Sequence, residues 1–166
     1  MSFLADLDPL YFALLNNNTA ELNDLLCDKS LTIDLNAIDS SGYTYLHLSL
    51  LFDNNILFKK LLTKKCDVNI QAKNGKAALH LVAIMTSAAE VKHLYKHGAT
   101  LDILDNKGRT PLHLAALVGK PAVLQILLML GANSSLKDKS GDTPLSLAIK
   151  FDRKESAKIL RVYAAQ

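Results

Sequence analysis

The sequence predicts an all-α repeat solenoid in which each repeat combines a β-turn or hairpin with two short antiparallel helices. The main observation is a period of about 33 residues, at which four glycines each open a version of one phrase: Gly42, Gly75, Gly108 and Gly141. In the third copy the phrase is Gly-Arg-Thr-Pro-Leu-His-Leu-Ala. Such a period indicates one supersecondary unit stacked on itself, because each unit has an apolar face that only its neighbours can bury.

The phrase resembles the ankyrin repeat, whose motif is Thr-Pro-Leu-His-x-Ala at the same period. The copy that begins at Gly108 matches this motif fully. The other copies depart from it at a few places: Tyr45 replaces the proline, Ala77-Ala78 replaces Thr-Pro, and Ser146 replaces the histidine. Because the motif recurs in register, the resemblance is specific, and it covers essentially the whole chain.

The resemblance implies a single domain of about five repeats, with boundaries near residues 1–38, 39–71, 72–104, 105–137 and 138–166. The first repeat has Leu10-Tyr-Phe-Ala13 in place of Leu-His-x-Ala and lacks the upstream hairpin. The interval from Leu10 to Gly42 is longer than the matching interval from Leu112 to Gly141. We therefore expect three extra residues in the first linker, within residues 27–35.

The motif positions have distinct structural roles. A glycine at each turn accepts the positive φ angle that a tight turn demands, and Pro111 and Pro144 fit a first helical turn, where a missing N–H costs nothing. We expect the motif leucines to face the core, one layer apart: Leu46, Leu79, Leu112 and Leu145. The resemblance implies that the motif histidines bond backbone groups of the hairpin region and not a metal: His47, His80 and His113.

The second helices have their own start and stop signals. Three residue pairs resemble capping boxes: Asn18 with Glu21, Ser87 with Glu90, and Asp152 with Glu155. Gly98 and Gly131 stand where a left-handed residue ends a helix, and Lys65 occupies the same place at some cost in stability. In the last repeat Arg161 replaces the apolar Leu128 of the repeat before it, which predicts a solvated terminal face.

Composition and charge narrow the function classes. Hydrophobic residues make up 49% of the chain, and no apolar run reaches the roughly 18 residues of a membrane span. Residues 1–71 carry a net charge of −4 and residues 72–166 a net charge of +7, a dipole that would steer a charged partner. The basic half lacks interleaved aromatic residues, which disfavours nucleic acid as the partner. For Cys27 and Cys66, reduced thiols in a cytosolic compartment are favoured over a disulfide.

No pattern of catalytic chemistry emerges. The chain has neither a glycine-rich phosphate loop nor a nucleophile elbow, so we expect no enzyme and no cofactor. His93 and His97 have a helical spacing that can chelate zinc, but no third ligand lies nearby in sequence, so we expect no metal site. Asn36 and Asn69 match the asparagine that closes the family's linkers. We expect both to be buried and bonded to loop backbone, the alternative being β-hydroxylation, as in some ankyrin proteins.

The resemblance implies that partners contact the hairpin tips and the groove side of the first helices. On that template the tips offer Tyr43, Lys76, Lys107 and Arg109. The first helices end in a line of residues, here called the apolar row, made of Leu51-Phe52, Ile84-Met85, Leu117-Val118 and Phe151. These side chains either pack beneath neighbouring repeats or form an exposed groove beside a basic fringe. Such a groove would suit an amphipathic helix or extended segment with apolar anchors and acidic flanks. Met129-Leu130 is a second, convex candidate.

These features predict a non-enzymatic protein–protein interaction module, an adaptor or an inhibitor, that binds a protein partner. We expect it to be monomeric on its own and cytoplasmic, with the nucleus as a further location. One alternative is an effector of an intracellular bacterium or virus that acts on a host protein in the host cytosol, and the eleven asparagines hint at an AT-rich genome. Another alternative is a self-associating scaffold in which the apolar row joins two copies.

Overall fold

Ten α-helices form the regular structure of the residues that the computed structural model describes, which are 9–16, 18–28, 33–85 and 88–164. In chain order they are α1 (Pro9–Leu15), α2 (Thr19–Cys27), α3 (Tyr45–Leu51), α4 (Asn55–Thr63), α5 (Ala78–Met85), α6 (Ala88–Lys96), α7 (Pro111–Val118), α8 (Pro121–Met129), α9 (Pro144–Lys150) and α10 (Lys154–Ala164). Consecutive helices contact one another in pairs, from α1 with α2 to α9 with α10. No strand occurs within these ranges, and the predicted all-α repeat solenoid is confirmed.

The helix starts show the period directly. The odd-numbered first helices from α3 begin at residues 45, 78, 111 and 144, and the second helices from α4 begin at residues 55, 88, 121 and 154. Both series advance by the same constant step, whereas the steps from α1 to α3 and from α2 to α4 are longer. Three extra residues therefore lie between the first two helix pairs, and the predicted place for them falls partly outside the described residues.

The helix pairs stack through both of their layers. Among the first helices, α5 contacts α3 and α7, and α7 contacts α9; among the second helices, α8 contacts α6 and α10. One core runs through the stack and includes three of the four motif leucines, each at most 1% exposed: Leu46, Leu79 and Leu112. Leu145 departs from the prediction because it is only partly buried. No further helix pair among the described residues covers its side of α9.

A tight turn precedes each first helix from α3 onward. In the turn before α7, the Gly108 N–H donates to the Asp105 carbonyl at 2.8 Å, and the Asp105 N–H donates to the Arg109 carbonyl at 2.9 Å. The four motif glycines have φ angles between 72° and 81°, which confirms the predicted left-handed geometry. Gly75 also needs its missing side chain, since a Cβ there would lie 2.4 Å from the backbone nitrogen of Asn106 in the next turn.

Asparagine side chains start two of the second helices. Asn18 caps α2 by accepting the Glu21 N–H at 3.2 Å, and its amide donates to the Glu21 carboxylate at 2.9 Å, so that capping signal is confirmed. Asn54 caps α4 by accepting the Leu57 N–H at 2.9 Å. The predicted capping residue Ser87 lies outside the described residues.

The capping signal predicted at Asp152 is wrong. Helix α10 begins at Lys154, so Arg153 holds the cap position, and its carbonyl accepts the first helical bond from the Ala157 N–H at 2.9 Å. Asp152 lies one residue earlier with a φ angle of 53°. The loop between the two helices needs a left-handed residue there, as Gly119 supplies in the preceding repeat with a φ angle of 80°.

The stop signals of the second helices are confirmed. Gly98 and Gly131 have φ angles of 90° and 98°, and Lys65 adopts the same left-handed region at 59°. A side chain in that region is strained, because its Cβ crowds the backbone. In the last repeat Arg161 is exposed, whereas Leu128 at the equivalent place in α8 is buried, as the replacement of leucine by arginine predicts.

Candidate protein-interaction surface

Three motif histidines tie each repeat to the next: His47, His80 and His113. Each Nε2–H donates to a backbone carbonyl in the following turn over 3.0–3.1 Å. The Nδ1 atom accepts a backbone N–H from three residues earlier, as from Thr44 to His47 at 3.2 Å. Burial lowers the pKa of all three imidazoles, that of His47 to about 4. The predicted backbone role is confirmed, and these histidines belong to the fold and not to a ligand site.

The linker asparagines bond loop backbone, as predicted, and these bonds join neighbouring repeats. Asn36 Oδ1 accepts the Asp67 N–H at 2.8 Å. Asn69 Oδ1 accepts the Thr100 N–H at 2.9 Å, and its amide donates to the Gly98 carbonyl at 2.9 Å. The expectation of burial is wrong, since Asn36 is exposed and Asn69 is half-buried. Both side chains lie in surface linkers and bond backbone groups that are themselves near solvent.

The apolar row divides into two lines of side chains. The first members of its pairs are partly buried: Leu51, Ile84 and Leu117. The second members, here called the outer line, are Phe52, Met85, Val118 and Phe151. Three of these are exposed by 45–47%, and Val118 is partly buried. Leu51 and Ile84 pack against the core, whereas three of the four members of the outer line present apolar surface to solvent.

The hairpin tips carry positive charge, but one of the predicted contact residues is already bonded. Lys107 is exposed and Lys76 is half-buried. Arg109 donates from Nε to Asp138 Oδ2 at 3.1 Å, and its side chain is 19% exposed. Burial alone would raise the pKa of Asp138, but this bond and two backbone N–H groups outweigh it and lower that pKa. Arg109 thus joins two neighbouring repeats through its bond to Asp138.

Tyr43 also stabilises a junction between tips. It is half-buried, and its ring lies tilted against that of His47, with centroids 5.5 Å apart. Its hydroxyl accepts a hydrogen bond from the Asn74 amide at 3.2 Å. Beside it, the Lys73 N–H donates to the Ser41 carbonyl at 3.0 Å. The tips of adjacent repeats are therefore joined through both side chains and backbone.

The remaining histidines and the two cysteines do not form a metal or catalytic site within the described residues. His93, on α6, and His97, directly after its end, are exposed, and their Nδ1 atoms bond the carbonyls of Ala89 at 2.9 Å and of His93 at 2.8 Å, respectively. The described ranges contain no cluster of three or more potential metal ligands. Both cysteines are free: Cys27 is exposed, and burial raises the pKa of the Cys66 thiol to about 11.

The last helix pair exposes apolar surface that the motif comparison missed. Ile149 is 53% exposed, whereas Ala83 and Ala116, at the equivalent places in α5 and α7, are fully buried. A signal was present in the sequence, because a large branched side chain replaces alanine at this place. Met129, the predicted convex candidate, is 70% exposed at the end of α8, and its neighbour Leu130 is partly buried.

Stacked helix pairs, left-handed turns and histidine bridges together define a helical repeat protein. A family model of ankyrin repeats, in three copies, matches residues 50–138. The chain therefore belongs to the ankyrin-repeat family. A comparison with curated proteins gives no match. Ankyrin repeats are protein–protein interaction modules, and the family is typically non-catalytic. Over the described residues, no helix has the length and apolar character needed to cross a bilayer.

Proposed function

We propose that this protein is a non-enzymatic adaptor or inhibitor that binds one protein partner along the apolar row and the adjoining hairpin tips. The observation that carries the proposal is the outer line, in which three of four repeats leave a large apolar side chain 45–47% exposed. Contiguous apolar surface of this kind marks interaction sites, because burying it is favourable by about 25 cal/mol per Å². Its position on a rigid stack offers evenly spaced anchoring points.

The spacing of the outer line fits an amphipathic helix. Packed helices lie about 8–10 Å apart, so equivalent side chains of successive first helices repeat at about that distance. Seven residues of an α-helix rise about 10.5 Å and return to nearly the same face. Three residues of a strand rise about 10 Å, but side-chain alternation turns every second anchor away. The partner we propose is therefore a helix with apolar anchors seven residues apart.

Charge at the tips indicates which residues should flank those anchors. Successive turns carry three exposed lysines: Lys73, Lys107 and Lys139. None of them has an ion-pair partner in the part of the chain that the structure describes. Acidic residues beside the anchors of the partner helix would complement these lysines. Such complementarity speeds association and selects the partner more than it adds to affinity.

Peptide selection tests the proposal directly. A display library of peptides about 20 residues long, about 30 Å when helical, would be selected against the wild-type protein. The affinity of enriched peptides would then be measured for the Phe52→Gln/Met85→Gln variant and for the control Met129→Gln. The control removes an apolar side chain that is even more exposed, at 70% against 47% for Phe52 and Met85, from the second-helix layer. Loss of two anchors should weaken binding at least about tenfold, and the control should change it less than about twofold.

Several outcomes would overturn this site. Equal peptide affinity of the wild type and the double variant would remove the outer line from the interface. Unfolding of the double variant, seen by circular dichroism, would assign Phe52 and Met85 to the core. An apparent molecular mass that rises with protein concentration in the wild type and not in the variant would favour a self-associating scaffold over an adaptor.

We further propose a reducing compartment, the cytoplasm or nucleus, or the host cytosol if the protein is an effector. The support is the pair of free cysteines, of which Cys27 is exposed. Exposed thiols persist where glutathione keeps them reduced. Alkylation of both thiols is the expected result when cells are lysed directly in denaturant without added reductant, which exposes the buried Cys66, and recovery of a disulfide-bonded form would contradict it.

A further inference from the structure

The start of the stack exposes a residue that is buried in the later repeats. The fourth residue of every first helix from α3 onward is buried, and these residues are Leu48, Leu81, Leu114 and Leu147. In α1 the fourth residue is Phe12, which is 45% exposed, and no described helix pair precedes α1. The fourth residue therefore faces the preceding repeat, and Phe12 presents an apolar ring at the uncovered start of the stack.

At the other end of the stack the second and sixth residues of the first helix are uncovered instead. In α1 these residues are Leu10 and Leu14, both buried. In α9 they are Leu145, which is partly buried, and Ile149, which is 53% exposed. The second and sixth residues therefore face the following repeat. Apolar surface is thus open at both ends, at places that meet wherever two described repeats stack.

Contacts between neighbouring second helices show which of their residues meet. His93, the sixth residue of α6, lies against Phe58, the fourth residue of α4, with ring centroids 6.5 Å apart. Lys60, the sixth residue of α4, donates from Nζ to Sγ of Cys27, the ninth residue of α2, at 3.8 Å. The sixth residue of a second helix therefore faces the fourth and ninth residues of the preceding second helix.

Opposite charges occupy these places at the two ends. The sixth residue of α2 is Asp24, which is exposed. The fourth and ninth residues of α10 are Ala157 and Val162. Arg161 lies on the same side of α10 as Ala157, because residues four apart share a helix face, and it is exposed. Neither Asp24 nor Arg161 forms an ion pair within the part of the chain that the structure describes.

An open cavity of about 190 Å³ between α9 and α10 joins the apolar and the charged part of this end. Ile149, Ala157 and Arg161 all line it. Its other charged residues are Arg153, Lys154 and Asp152. Because basic side chains outnumber acidic ones, the cavity suits an acidic residue that arrives beside an apolar one.

We infer that the two ends of the stack bind each other, so that α1 and α2 of one copy of the chain pack on α9 and α10 of a second copy, in the place of a following repeat. Phe12 then lies against Leu145 and Ile149. Asp24 pairs with Arg161, since the sixth residue of a second helix faces that side of the helix before it. The opposite net charges of the two halves of the chain favour the same orientation.

The motif of the last repeat is compatible with this contact. In the interior repeats a histidine requires a carbonyl of the following turn, as His113 does from Asp142. Ser146 takes the histidine's place in the fifth pair and bonds Asp142 and Thr143 of its own turn. The incoming α1 therefore need not bring a turn that supplies this acceptor.

A head-to-tail contact leaves one free end on each copy. Association therefore continues into open chains of copies and does not stop at a dimer. The contact is one helix pair wide and lacks the hairpin bonds of an interior junction, so it forms at high protein concentration. The monomer expected from the sequence then describes dilute solution. The outer line lies outside this contact and stays accessible to a different partner.

Analytical ultracentrifugation of the full chain, from about 1 μM to 1 mM, tests the contact. The average mass should rise past that of a dimer, and sodium chloride should lower it, because salt screens exposed charge pairs. Asp24→Arg and Arg161→Asp should each weaken self-association at least about tenfold, since each brings like charges together. An equimolar mixture of the two variants should restore association, because every junction between unlike variants again joins opposite charges.

The controls separate this contact from the apolar row. Phe52→Gln/Met85→Gln should associate like the wild type, and circular dichroism should show that every variant is folded. Arg161→Gln, which should also weaken association, replaces Arg161→Asp should the reversal disturb α10. A single-copy mass at all concentrations would overturn the contact and leave the ends to a different partner. Association that both reversals leave unchanged, or a mixture that restores nothing, would overturn it as well.

Discussion

The fourth and fifth helix pairs share one motif, but different bonds hold it. In the fourth, His113 reaches the turn of the following repeat and bonds the Asp142 carbonyl at 3.1 Å. In the fifth, Ser146 takes that place, and its hydroxyl lies 2.9 Å from Asp142 Oδ1 and 3.0 Å from the Thr143 carbonyl, both in its own turn. An interior repeat is thus held by its neighbour, whereas this last described repeat satisfies its motif from within.

The first helix of the fifth pair is also less buried than that of the fourth pair. Leu112 and Ala116 of α7 are fully buried, whereas the equivalent residues of α9, Leu145 and Ile149, are partly buried and 53% exposed. Helices α3, α5 and α7 are each covered on one side by the next first helix, and the described residues place no first helix on that side of α9. The energetic role of a motif residue therefore depends on its place in the stack as much as on its identity.

The motif leucines of the fourth and fifth helix pairs should show the largest contrast in the stability lost on truncation to alanine. Leu112→Ala should lower the free energy of unfolding by about 2–5 kcal/mol, because a fully buried leucine leaves a cavity. Leu145→Ala should cost less than half as much, since solvent already reaches its side chain. Denaturant titrations followed by circular dichroism would measure both. Equal costs would mean that the fifth pair is packed like an interior one.

The next largest contrast should be between two turn glycines, in the stability lost when each is replaced by alanine. Gly141→Ala should cost about 1–2 kcal/mol, because its φ angle is 81° while the space around it is open. Gly75→Ala should cost at least about 1 kcal/mol more, since its new Cβ would meet the Asn106 backbone at 2.4 Å. Thermal and denaturant unfolding of the two variants provide the comparison. A smaller cost at Gly75 would show that neighbouring turns separate easily.

Acid should weaken the interior repeats through their histidines. Burial lowers the pKa of His47 to about 4 in the folded protein, from 6.5 otherwise. Below pH 6.5 the unfolded chain therefore binds a proton that the folded chain does not bind until about pH 4. Stability is consequently full above pH 6.5 and falls as the pH drops through this window. His47 alone should account for a loss of about 1–2 kcal/mol between about pH 6.5 and 5.

Unfolding curves at about pH 7, 6 and 5 would check this expectation. The His47→Gln variant should lose stability less steeply than the wild type, because one of the groups that titrate differently in the two states is gone. Ser146→Ala is the matched change in the fifth pair, where no imidazole stands, and should keep the wild-type dependence. The same slope in wild type and His47→Gln would be evidence against a neutral buried histidine.

The smallest expected effect is a gain in stability. Asp152 adopts a φ angle of 53° at the place where the preceding repeat has Gly119. Asp152→Gly should therefore raise the free energy of unfolding by about 0.5–1 kcal/mol, because glycine relieves left-handed strain. A loss of stability would indicate that the Asp152 side chain has a structural role of its own.

Much of the architecture could be predicted because it repeats. Once the period is known, the left-handed conformation of Lys65 and the core place of Leu79 follow from copies of the same backbone. The histidine bonds follow in the same way from the family resemblance. Comparison between repeats is informative wherever the surroundings of a residue are repeated along with the residue.

The remaining features depend on neighbours that change from one repeat to the next. The side-chain hydrogen bond of Arg109 requires Asp138, which lies 29 residues later in the chain. The partial burial of Leu145 depends on which elements pack against α9. An open cavity between the fourth and fifth helix pairs becomes visible only when the loop after α7 is seen beside α10.

Each histidine bridge also sets a delay during synthesis of the chain. Donor ring and acceptor carbonyl are 29 residues apart in all three bridges. A ribosome that adds about 5–20 residues per second delivers the acceptor about 1.5–6 s after the donor. Throughout that interval the newest repeat on the nascent chain holds an imidazole without its acceptor. Translation speed therefore governs how long each growing end waits before the following repeat closes over it.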